Sequence, residues 1–274
     1  MIGSHLIKST YSAEAALRSY YLRLRKLRYS EGRFLFLAAM PKSGSTFLSN
    51  ALAKLFGYRH SYFAFAYRNI EQELYLPRLV DAYGQGTVVQ QHSRANVPNL
   101  DLLQELRITP LVLVRNLFDV LVSVRDHLRR EQTDNIPSLY VPASFAKLSE
   151  ESQLDFIVSY YGPWLISFYV SWFEAERARR LDFMWLTYED CIQDWHQAIL
   201  EVAKFHRFSA SAGEIDDALR ATADSGSTRF NKGVAGRGRQ LLTEAQKSLL
   251  GHMVAFYPEV DFARLGVSAN ENSA

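Results

Sequence analysis

Short apolar runs alternate with amphipathic stretches along most of the chain, and this alternation predicts the secondary structure. Continuous apolar runs predict buried strands at residues 34–39, 87–91, 110–114 and 182–188. Apolar positions three and four residues apart predict helices at residues 44–56, 99–106, 117–130 and about 188–206. Strands that are buried on both faces and separated by helices are typical of parallel sheets. We therefore predict an α/β fold, a three-layer sandwich with a central parallel sheet.

The same pattern divides the chain into three parts. Residues 11–29 form a helical pattern with apolar residues on one face and five basic residues around them. It predicts a packed, solvated helix; binding to a membrane surface or an acidic partner is the alternative. We expect an N-terminal helical extension (residues 1–33), a single catalytic domain (34–266) and a polar tail (267–274).

The composition of the chain excludes several classes of protein. The chain has 274 residues, of which 48% are hydrophobic and 22% charged, with a formal net charge of +2. These values exclude a disordered protein and give no global charge that would indicate a nucleic-acid partner. Cys191 is the only cysteine, which excludes an intramolecular disulfide and favours a reducing, cytoplasmic setting. The longest strongly apolar run near the N-terminus, residues 34–40, falls far short of the roughly 20 residues of a transmembrane helix.

The strongest chemical signal is the segment AMPKSGSTF, residues 39–47, between a predicted strand and a predicted helix. A glycine in this turn, Gly44, lets backbone N–H groups converge, and the helix N-terminus adds a partial positive charge. The side chains that supply further donors are Lys42, Ser43, Ser45 and Thr46. The segment therefore predicts an anion site, and phosphate is the anion that it suits best.

This loop differs from the usual nucleoside triphosphate loop. Its lysine, Lys42, precedes the glycine by two residues, whereas the usual motif ends in Gly-Lys-Ser/Thr. The strand predicted at residues 110–114 ends in Arg115, where a magnesium-dependent enzyme usually has an aspartate. Because an arginine there would bind a second phosphate and repel a cation, we predict no metal site. A third element, residues 225–240, contains four glycines, four basic residues and no acid, which suits a phosphate-wrapping loop.

These segments resemble the sulfotransferases that use 3′-phosphoadenosine 5′-phosphosulfate (PAPS). The matches, in family order, are PKSGSTFL (41–48) with the 5′-phosphosulfate loop, RNLFDVLVS (115–123) with the 3′-phosphate element, LTYED (186–190) with a segment near the adenine, and FNKGVAG (230–236) with the C-terminal loop. The resemblance covers residues 34 to 240. It implies the P-loop-like sulfotransferase fold, PAPS as donor, 3′-phosphoadenosine 5′-phosphate (PAP) as product, and no required metal.

The resemblance also implies the roles of individual residues. Lys42 would lie at the bridging oxygen, and residues 43–46 would hold the 5′-phosphate. Phe47 would stack on the adenine, close to Tyr188. The 3′-phosphate would be selected by Arg115, Ser123 and Lys232. The C-terminal loop would add Phe230, Asn231 and Gly233, with Asn231 standing where many relatives have arginine.

The acceptor needs a base, and His92 matches the family's histidine by position. A neutral imidazole with a pKa near 6.5 is a competent base at neutral pH. The family's Lys-x-His is Gln90-Gln91-His92 here, so one cation near the transferred group is lost. Some carbohydrate-directed relatives use a glutamate instead, which leaves Glu71 and Glu73 as reserve bases.

The sequence thus predicts sulfuryl transfer from PAPS to a hydroxyl, or secondarily an amine, of a small-molecule acceptor. A natural product, a phenol and a saccharide all remain open as acceptors. The alternative is a divergent P-loop kinase or a silent nucleotide-binding protein. We expect no nucleic-acid partner and no membrane-spanning segment, and the sequence is compatible with a homodimer.

Overall fold

A five-stranded parallel sheet forms the centre of the computed structural model, which describes residues 13, 17, 33–65, 72–82, 84–131, 135–136, 138–225 and 236–267. The strands along the chain are β1 (Phe34–Ala39), β2 (Arg59–Ser61), β3 (Thr87–Gln91), β4 (Leu111–Val114), β5 (Asn135–Ile136), β6 (Leu139–Tyr140) and β7 (Met184–Thr187). The spatial order in the central sheet is β2-β3-β1-β4-β7, and β5 pairs with β6 in a separate antiparallel ribbon.

Helices cover both faces of the sheet. They are α1 (Ser45–Phe56), α2 (Leu76–Ala82), α3 (Val97–Glu105), α4 (Leu117–Glu131), α5 (Glu150–Arg177), α6 (Tyr188–Gln193), α7 (Trp195–Phe205), α8 (Ala212–Asp224), α9 (Arg237–Leu241) and α10 (Glu244–Val254). Most begin at a side chain that accepts a backbone N–H: Asn96, Ser149, Thr187, Asp194, Ser211 and Thr243. By contrast, α1 and α9 begin at glycines that have no side-chain cap, Gly44 and Gly236.

The side chains of β1 explain the three layers. All six residues of this strand are buried. Phe34, Phe36 and Ala38 belong to the larger core cluster on one face of the sheet, and the intervening Leu35, Leu37 and Ala39 belong to the smaller cluster on the other face. Because alternate side chains point to opposite faces, a continuous apolar run is needed for a strand that is covered on both sides. The predicted three-layer α/β fold is confirmed.

The larger core is built around α5. Tyr161, Tyr169 and Trp172 of this helix are fully buried. Two of them bind backbone outside the helix: Tyr169 donates to the carbonyl of Asp261 at 2.5 Å, and the indole of Trp172 donates to the carbonyl of Ser93 at 3.1 Å. The second bond fixes the chain directly after His92, so the core packing also positions a candidate site residue.

Some elements differ from the sequence prediction. The strand β2 was not predicted, since its residues are polar and lie at the exposed edge of the sheet. The helix predicted over residues 188–206 is two helices, because Asp194 adopts an extended backbone (φ −153°, ψ 90°) and caps α7 by accepting from the N–H of Gln197 at 2.9 Å. The strands β4 and β7 are shorter than predicted, whereas β1 and β3 have the predicted bounds.

The topology brings four strand ends to one edge of the sheet. Because β1 pairs with β3 on one side and with β4 on the other, all in parallel, the chain changes direction across the sheet at β1. Ligand sites of open α/β sheets lie outside the carboxyl ends of the strands at such a switch point. The residues that follow these ends are Met40, His92, Arg115 and Tyr188.

The half-buried histidine that follows α7, His206, predicts acid sensitivity. The ring of His206 stacks on Phe208 with centroids 5.8 Å apart, and no described residue forms a hydrogen bond with its buried Nε2 atom. Burial lowers the pKa of His206 to about 4. The unfolded chain therefore binds more protons between pH 6.5 and 4, and stability falls as the pH falls through that interval.

We expect His206→Phe to lose less stability than the wild type between pH 7 and pH 4.5, by roughly 2 kcal/mol. The measurement is the free energy of unfolding in urea at both pH values. His252→Phe, at an exposed histidine, is the matched control and should behave like the wild type. Equal acid losses in His206→Phe and the wild type would contradict the assignment.

Candidate functional site

The loop between β1 and α1 has an unusual backbone conformation. Lys42 and Gly44 both have positive φ, 62° and 81°. Two hydrogen bonds fix the loop. The Met40 N–H donates to the carbonyl of Leu113 at 2.8 Å, and the Ser43 hydroxyl donates to the Met40 carbonyl at 2.6 Å. The Ser43 side chain therefore stabilises the loop itself.

The first turn of α1 is open toward this loop. In α1, which is described throughout, the first turn carries no acidic side chain, and Gly44 provides no side-chain cap. The first N–H groups of a helix have no partner within the helix, and its N-terminus carries a partial positive charge. Together with half-buried Lys42 and the hydroxyls of Ser45 and Thr46, this end of α1 suits a phosphate group.

Gly44 cannot be replaced by a larger residue without displacing its neighbours. A Cβ atom at this position would lie 2.9 Å from Cδ2 of Tyr188 and 3.7 Å from Cη2 of Trp195. The positive φ of Gly44 is a second constraint, because residues with a side chain rarely adopt it. The glycine therefore allows both the loop conformation and the close approach of the aromatic ring of Tyr188.

Arg115 connects this loop with the neighbouring strand end. Its Nη1 donates to the carbonyl of Lys42 at 2.9 Å, and its guanidinium lies over the ring of Tyr188, 4.2 Å from the centroid. Its Nη2 also lies 3.9 Å from Oδ2 of Asp119. The side chain is buried, with 9% exposed. A cation held in a fixed orientation beside a helix N-terminus provides a second anion-binding group.

The remaining residues predicted for the 3′-phosphate are only partly within the described structure. Ser123 lies on α4 with 6% of its surface exposed, about one turn after Asp119, which forms the ion pair with Arg115. Phe230, Asn231, Lys232 and Gly233 lie outside the described residues. Lys42 and Arg115 are thus joined directly by a hydrogen bond, and the contribution of the C-terminal loop stays a prediction.

His92 follows β3 at the same edge, and its hydrogen bonds define its tautomer. Nδ1 lies 2.7 Å from the carbonyl oxygen of Ala39, which can only accept, so Nδ1 carries the proton. The other ring nitrogen, Nε2, lies 3.4 Å from the side-chain nitrogen of Gln90, which can only donate. The neutral ring therefore presents the lone pair of Nε2, the form that a general base requires.

Burial lowers the pKa of His92 to about 4. The hydrogen bond to the Ala39 carbonyl opposes this shift, and the positive charge of Lys42 adds to it. At neutral pH the ring is accordingly uncharged.

The reserve base Glu73 is engaged in a hydrogen-bond network of its own. Its Oε2 accepts from the side-chain amides of Asn96 at 2.6 Å and Asn99 at 2.7 Å. The adjacent Gln72 accepts the His92 N–H at 2.7 Å through its side-chain oxygen. These bonds fix residues 72–74 across the end of β3, which is a structural use for Glu73. Glu71 lies outside the described residues.

The aromatic residue that the sequence analysis missed is Trp195. Phe47, predicted to stack on adenine, is buried with 8% exposed and packs against the half-buried indole of Trp195, with ring centroids 4.7 Å apart. Trp195 reaches this place because the chain breaks between α6 and α7 at Asp194. The signal in the sequence for this contact is a tryptophan a few residues after the Tyr-Glu-Asp segment. The sequence pattern predicts one continuous helix there, and that prediction hides the break that brings Trp195 to Phe47.

Two general features of the described part of the chain complete the picture. No three His, Cys, Asp or Glu side chains come together there in a group that could hold a metal ion. No helix among these residues is both long enough and apolar enough to cross a membrane.

Comparison with known proteins identifies the family. The model of the sulfotransferase domain matches residues 33–234, about three quarters of the chain. The chain belongs to the sulfotransferase family. The match extends from the start of β1 to the C-terminal loop, and so includes both predicted phosphate-binding elements.

Two solved structures share the sulfotransferase fold. Mouse sulfotransferase SULT7A1, complexed with PAP, has a TM-score of 0.62 and 15% identity over 84% of this chain and 86% of its own. Retinol dehydratase, in complex with androsterone and inactive cofactor PAP, has a TM-score of 0.55 and 16% identity over 83% of each chain. No curated protein matched the sequence. At these identities the likeness is one of fold.

The geometry at Gly44 predicts a large effect of one methyl group on this sulfotransferase. Gly44→Ala should destabilise the fold by about 2 kcal/mol or more, because the positive φ and the contact with Tyr188 are both unfavourable. Gly57→Ala is the matched control: its φ of 64° imposes the same backbone strain, and a methyl there meets nothing within 4 Å. We expect it to cost only about 1 kcal/mol in urea unfolding. Equal losses in the two variants would contradict the close contact.

Proposed function

We propose that this sulfotransferase transfers a sulfuryl group from PAPS to a hydroxyl of a small molecule, with an amine as the second choice. The observation that carries the proposal is the hydrogen bond between Arg115 and the carbonyl of Lys42 at 2.9 Å. It supports two phosphate-binding groups held side by side, as a nucleotide with both a 5′- and a 3′-phosphate requires. The neutral His92 at the same edge supports the presence of a base.

The residues fit PAPS in chemical type. The N-terminus of α1, with Lys42, Ser45 and Thr46, would hold the 5′-phosphosulfate, and Arg115 with Ser123 would hold the 3′-phosphate. The C-terminal loop, with Phe230, Asn231, Lys232 and Gly233, would contribute to the same phosphate. When bound, PAPS supplies the activated sulfuryl group. Lys42 would stabilise the negative charge that develops on the departing phosphate, because a fixed cation needs no reorganisation during the reaction.

His92 would accept the proton of the acceptor hydroxyl at Nε2. Its Nδ1–H is held by the Ala39 carbonyl, so that nitrogen already carries a proton, and the basic lone pair is on Nε2, which lies 3.4 Å from the side-chain nitrogen of Gln90. The carbonyl also stabilises the imidazolium that forms. Binding of an anionic nucleotide raises the pKa of His92 from about 4, because negative charge offsets the charge of Lys42. The base would therefore become stronger once the donor is in place.

The adenine site follows from the aromatic residues around Gly44. Tyr188 and Trp195 both lie within 4 Å of a Cβ atom built on Gly44, and Phe47 packs on Trp195. We propose that the indole of Trp195 shares the stacking role first assigned to Phe47. Its larger ring provides the area that tryptophan gives at position 47 in many cytosolic relatives.

The wider assignments are proposals of the same kind. Residues 34–266 would be the catalytic domain, preceded by a helical extension; Val267 is still packed in the core, so the polar tail starts after it. We place the enzyme in a reducing, cytoplasmic setting. Cys191 is a buried free thiol whose pKa is raised to about 12, by burial first and by nearby acids second. The acceptor is a natural product, phenol or saccharide, and a homodimer is compatible with these features.

Nucleotide selectivity tests the cofactor assignment. We expect PAP to raise the melting temperature more than AMP, ADP or ATP, and equally with and without magnesium, because only PAP has a 3′-phosphate for Arg115. Arg115→Gln should remove the advantage of PAP over AMP. Stabilisation by ATP with magnesium, and none by PAP, would contradict the proposal and favour the kinase alternative.

The base assignment predicts a specific loss of turnover. His92→Asn keeps an N–H that can donate to the Ala39 carbonyl but removes the basic nitrogen, so turnover should fall at least about 100-fold. PAP affinity should change by less than about threefold. Turnover is measured with sulfur-labelled PAPS and the best acceptor from a screen of phenols, sugars and amines.

His252→Asn, at an exposed histidine, is the control for this substitution and should retain turnover. An NMR titration adds an independent measurement: the His92 imidazole should titrate near pH 4 without nucleotide and at higher pH with PAP. Substantial turnover in His92→Asn would remove this histidine as the base and direct attention to Glu71 and Glu73.

A further inference from the structure

Asp119, in the first turn of α4, is a buried carboxylate that binds backbone from a distant part of the chain. Only 2% of its surface is exposed. Its Oδ2 accepts the N–H of Gly236 at 2.7 Å, and its Oδ1 accepts the N–H of Gly238 at 2.6 Å. Gly236 is the last residue of the predicted C-terminal loop (230–236), and Gly238 lies two residues after it. Asp119 therefore fixes the C-terminal end of that loop on α4.

Gly238 makes this attachment a contact between two backbones. A Cβ atom at Gly238 would lie 2.3 Å from the carbonyl carbon of Phe118 and 2.5 Å from the nitrogen of Asp119. These distances are far shorter than any real contact of a methyl group, and the atoms concerned belong to the backbone of α4. Only glycine therefore allows α9 to approach α4 closely enough for both hydrogen bonds to Asp119.

The same carboxylate also neighbours the arginine of the phosphate site. Oδ2 of Asp119 lies 3.9 Å from Nη2 of Arg115, whose Nη1 donates to the carbonyl of Lys42 at 2.9 Å. Asp119 thus lies in a continuous series of contacts that runs from the loop of Lys42 through Arg115 to the start of α9. Because both of its oxygens already accept backbone N–H groups, the orientation of the carboxylate is fixed.

We propose that Asp119 is a positioning residue for the 3′-phosphate site. It orients Arg115 and anchors the end of the C-terminal loop, so that both converge on the same phosphate without contact between Asp119 and the nucleotide. This inference rests on the proposed function, which assigns Arg115 and the loop to that phosphate. The carboxylate of Asp119 places a negative charge close to the bound phosphate, which is unfavourable, but it fixes the orientation of Arg115.

The substitution Asp119→Asn distinguishes a positioning role from a purely electrostatic one, because the two roles predict opposite changes in the affinity for PAP. If only charge mattered, Asp119→Asn would strengthen the binding of PAP, because a negative charge near the phosphate is removed. Positioning predicts weaker binding, because an amide has one acceptor oxygen and its NH₂ group opposes one of the two glycine N–H groups.

The experiment is isothermal titration of PAP and AMP into the wild type and Asp119→Asn. We expect the affinity for PAP to fall about 10-fold or more, as for loss of a charge-assisted hydrogen bond, and the affinity for AMP to change less than about threefold. The ratio of the PAP affinity to the AMP affinity distinguishes this role from a general loss of structure, which would weaken the binding of both nucleotides. Unchanged or stronger PAP binding in Asp119→Asn would overturn the inference.

A second variant tests the loop side without altering charge. Gly238→Ala should also reduce the preference for PAP over AMP, since its methyl group separates α9 from α4. If circular dichroism shows that Asp119→Asn is unfolded, Gly238→Ala is used to test the proposal in its place. Gly213→Ala in α8 is the matched control, because a methyl there meets nothing within 4 Å.

Asp126→Asn is the control for charge on α4. Its carboxylate also binds α9, through Arg237 at 3.0 Å, but without backbone hydrogen bonds from the glycines. Both controls should keep the wild-type preference for PAP. A wild type without any preference for PAP over AMP would overturn the proposed function itself. A wild type with that preference, kept by both Asp119→Asn and Gly238→Ala, would overturn only the role of Asp119.

Discussion

The carboxyl end of β1 carries the hydrogen bonds on which the site depends. The carbonyl of Ala39 holds the imidazole of His92, and the N–H of Met40 is held by the carbonyl of Leu113 in β4. The strand itself is buried on both faces, so its position is set by the packing of two cores. The loop before α1, the candidate base and the end of β4 are therefore fixed relative to one another by a strand that is buried on both faces.

Two basic residues lie close to the start of α1. Lys42 belongs to the loop that precedes this helix, and Arg115 donates to the Lys42 carbonyl. The acid that pairs with Arg115, Asp119, also accepts two backbone N–H groups. The charge of Lys42 adds to the burial that keeps His92 neutral. Two basic residues and a neutral histidine therefore lie at the same edge of the sheet.

The surroundings of His92 show how the lost lysine of the family motif is accommodated. Gln90 places an amide nitrogen 3.4 Å from Nε2, where it donates to the lone pair without adding charge. The side chain of Gln91 donates to the carbonyl of Gln72 at 2.6 Å and accepts the N–H of Phe63 at 3.1 Å. The two glutamines therefore orient the histidine and attach Phe63 and Gln72 to β3. A neutral amide network replaces a cation at this position.

The sequence by itself predicted four of the five strands of the central sheet, the glycine-containing loop between the first strand and helix, and the family. An apolar strand followed by Lys42 and Gly44 is a local pattern, and local backbone geometry is enough to predict from it a helix N-terminus that suits an anion. Arg115 was found for the same reason, since it ends an apolar strand. The short edge strand β2 escaped prediction because hydrogen bonds to β3, and not its own apolar pattern, make it a strand.

Only the tertiary structure decided the contacts between distant residues. The bond from Arg115 to the Lys42 carbonyl joins positions 73 residues apart, and the bond from Gly238 to Asp119 joins positions 119 apart. The packing of Trp195 on Phe47 depends on a helix break at Asp194. Such contacts leave no periodic signal in the chain, because their distances are set by how strands and helices pack. The sequence determined which groups are present, and the packing of the sheet determined which of them meet.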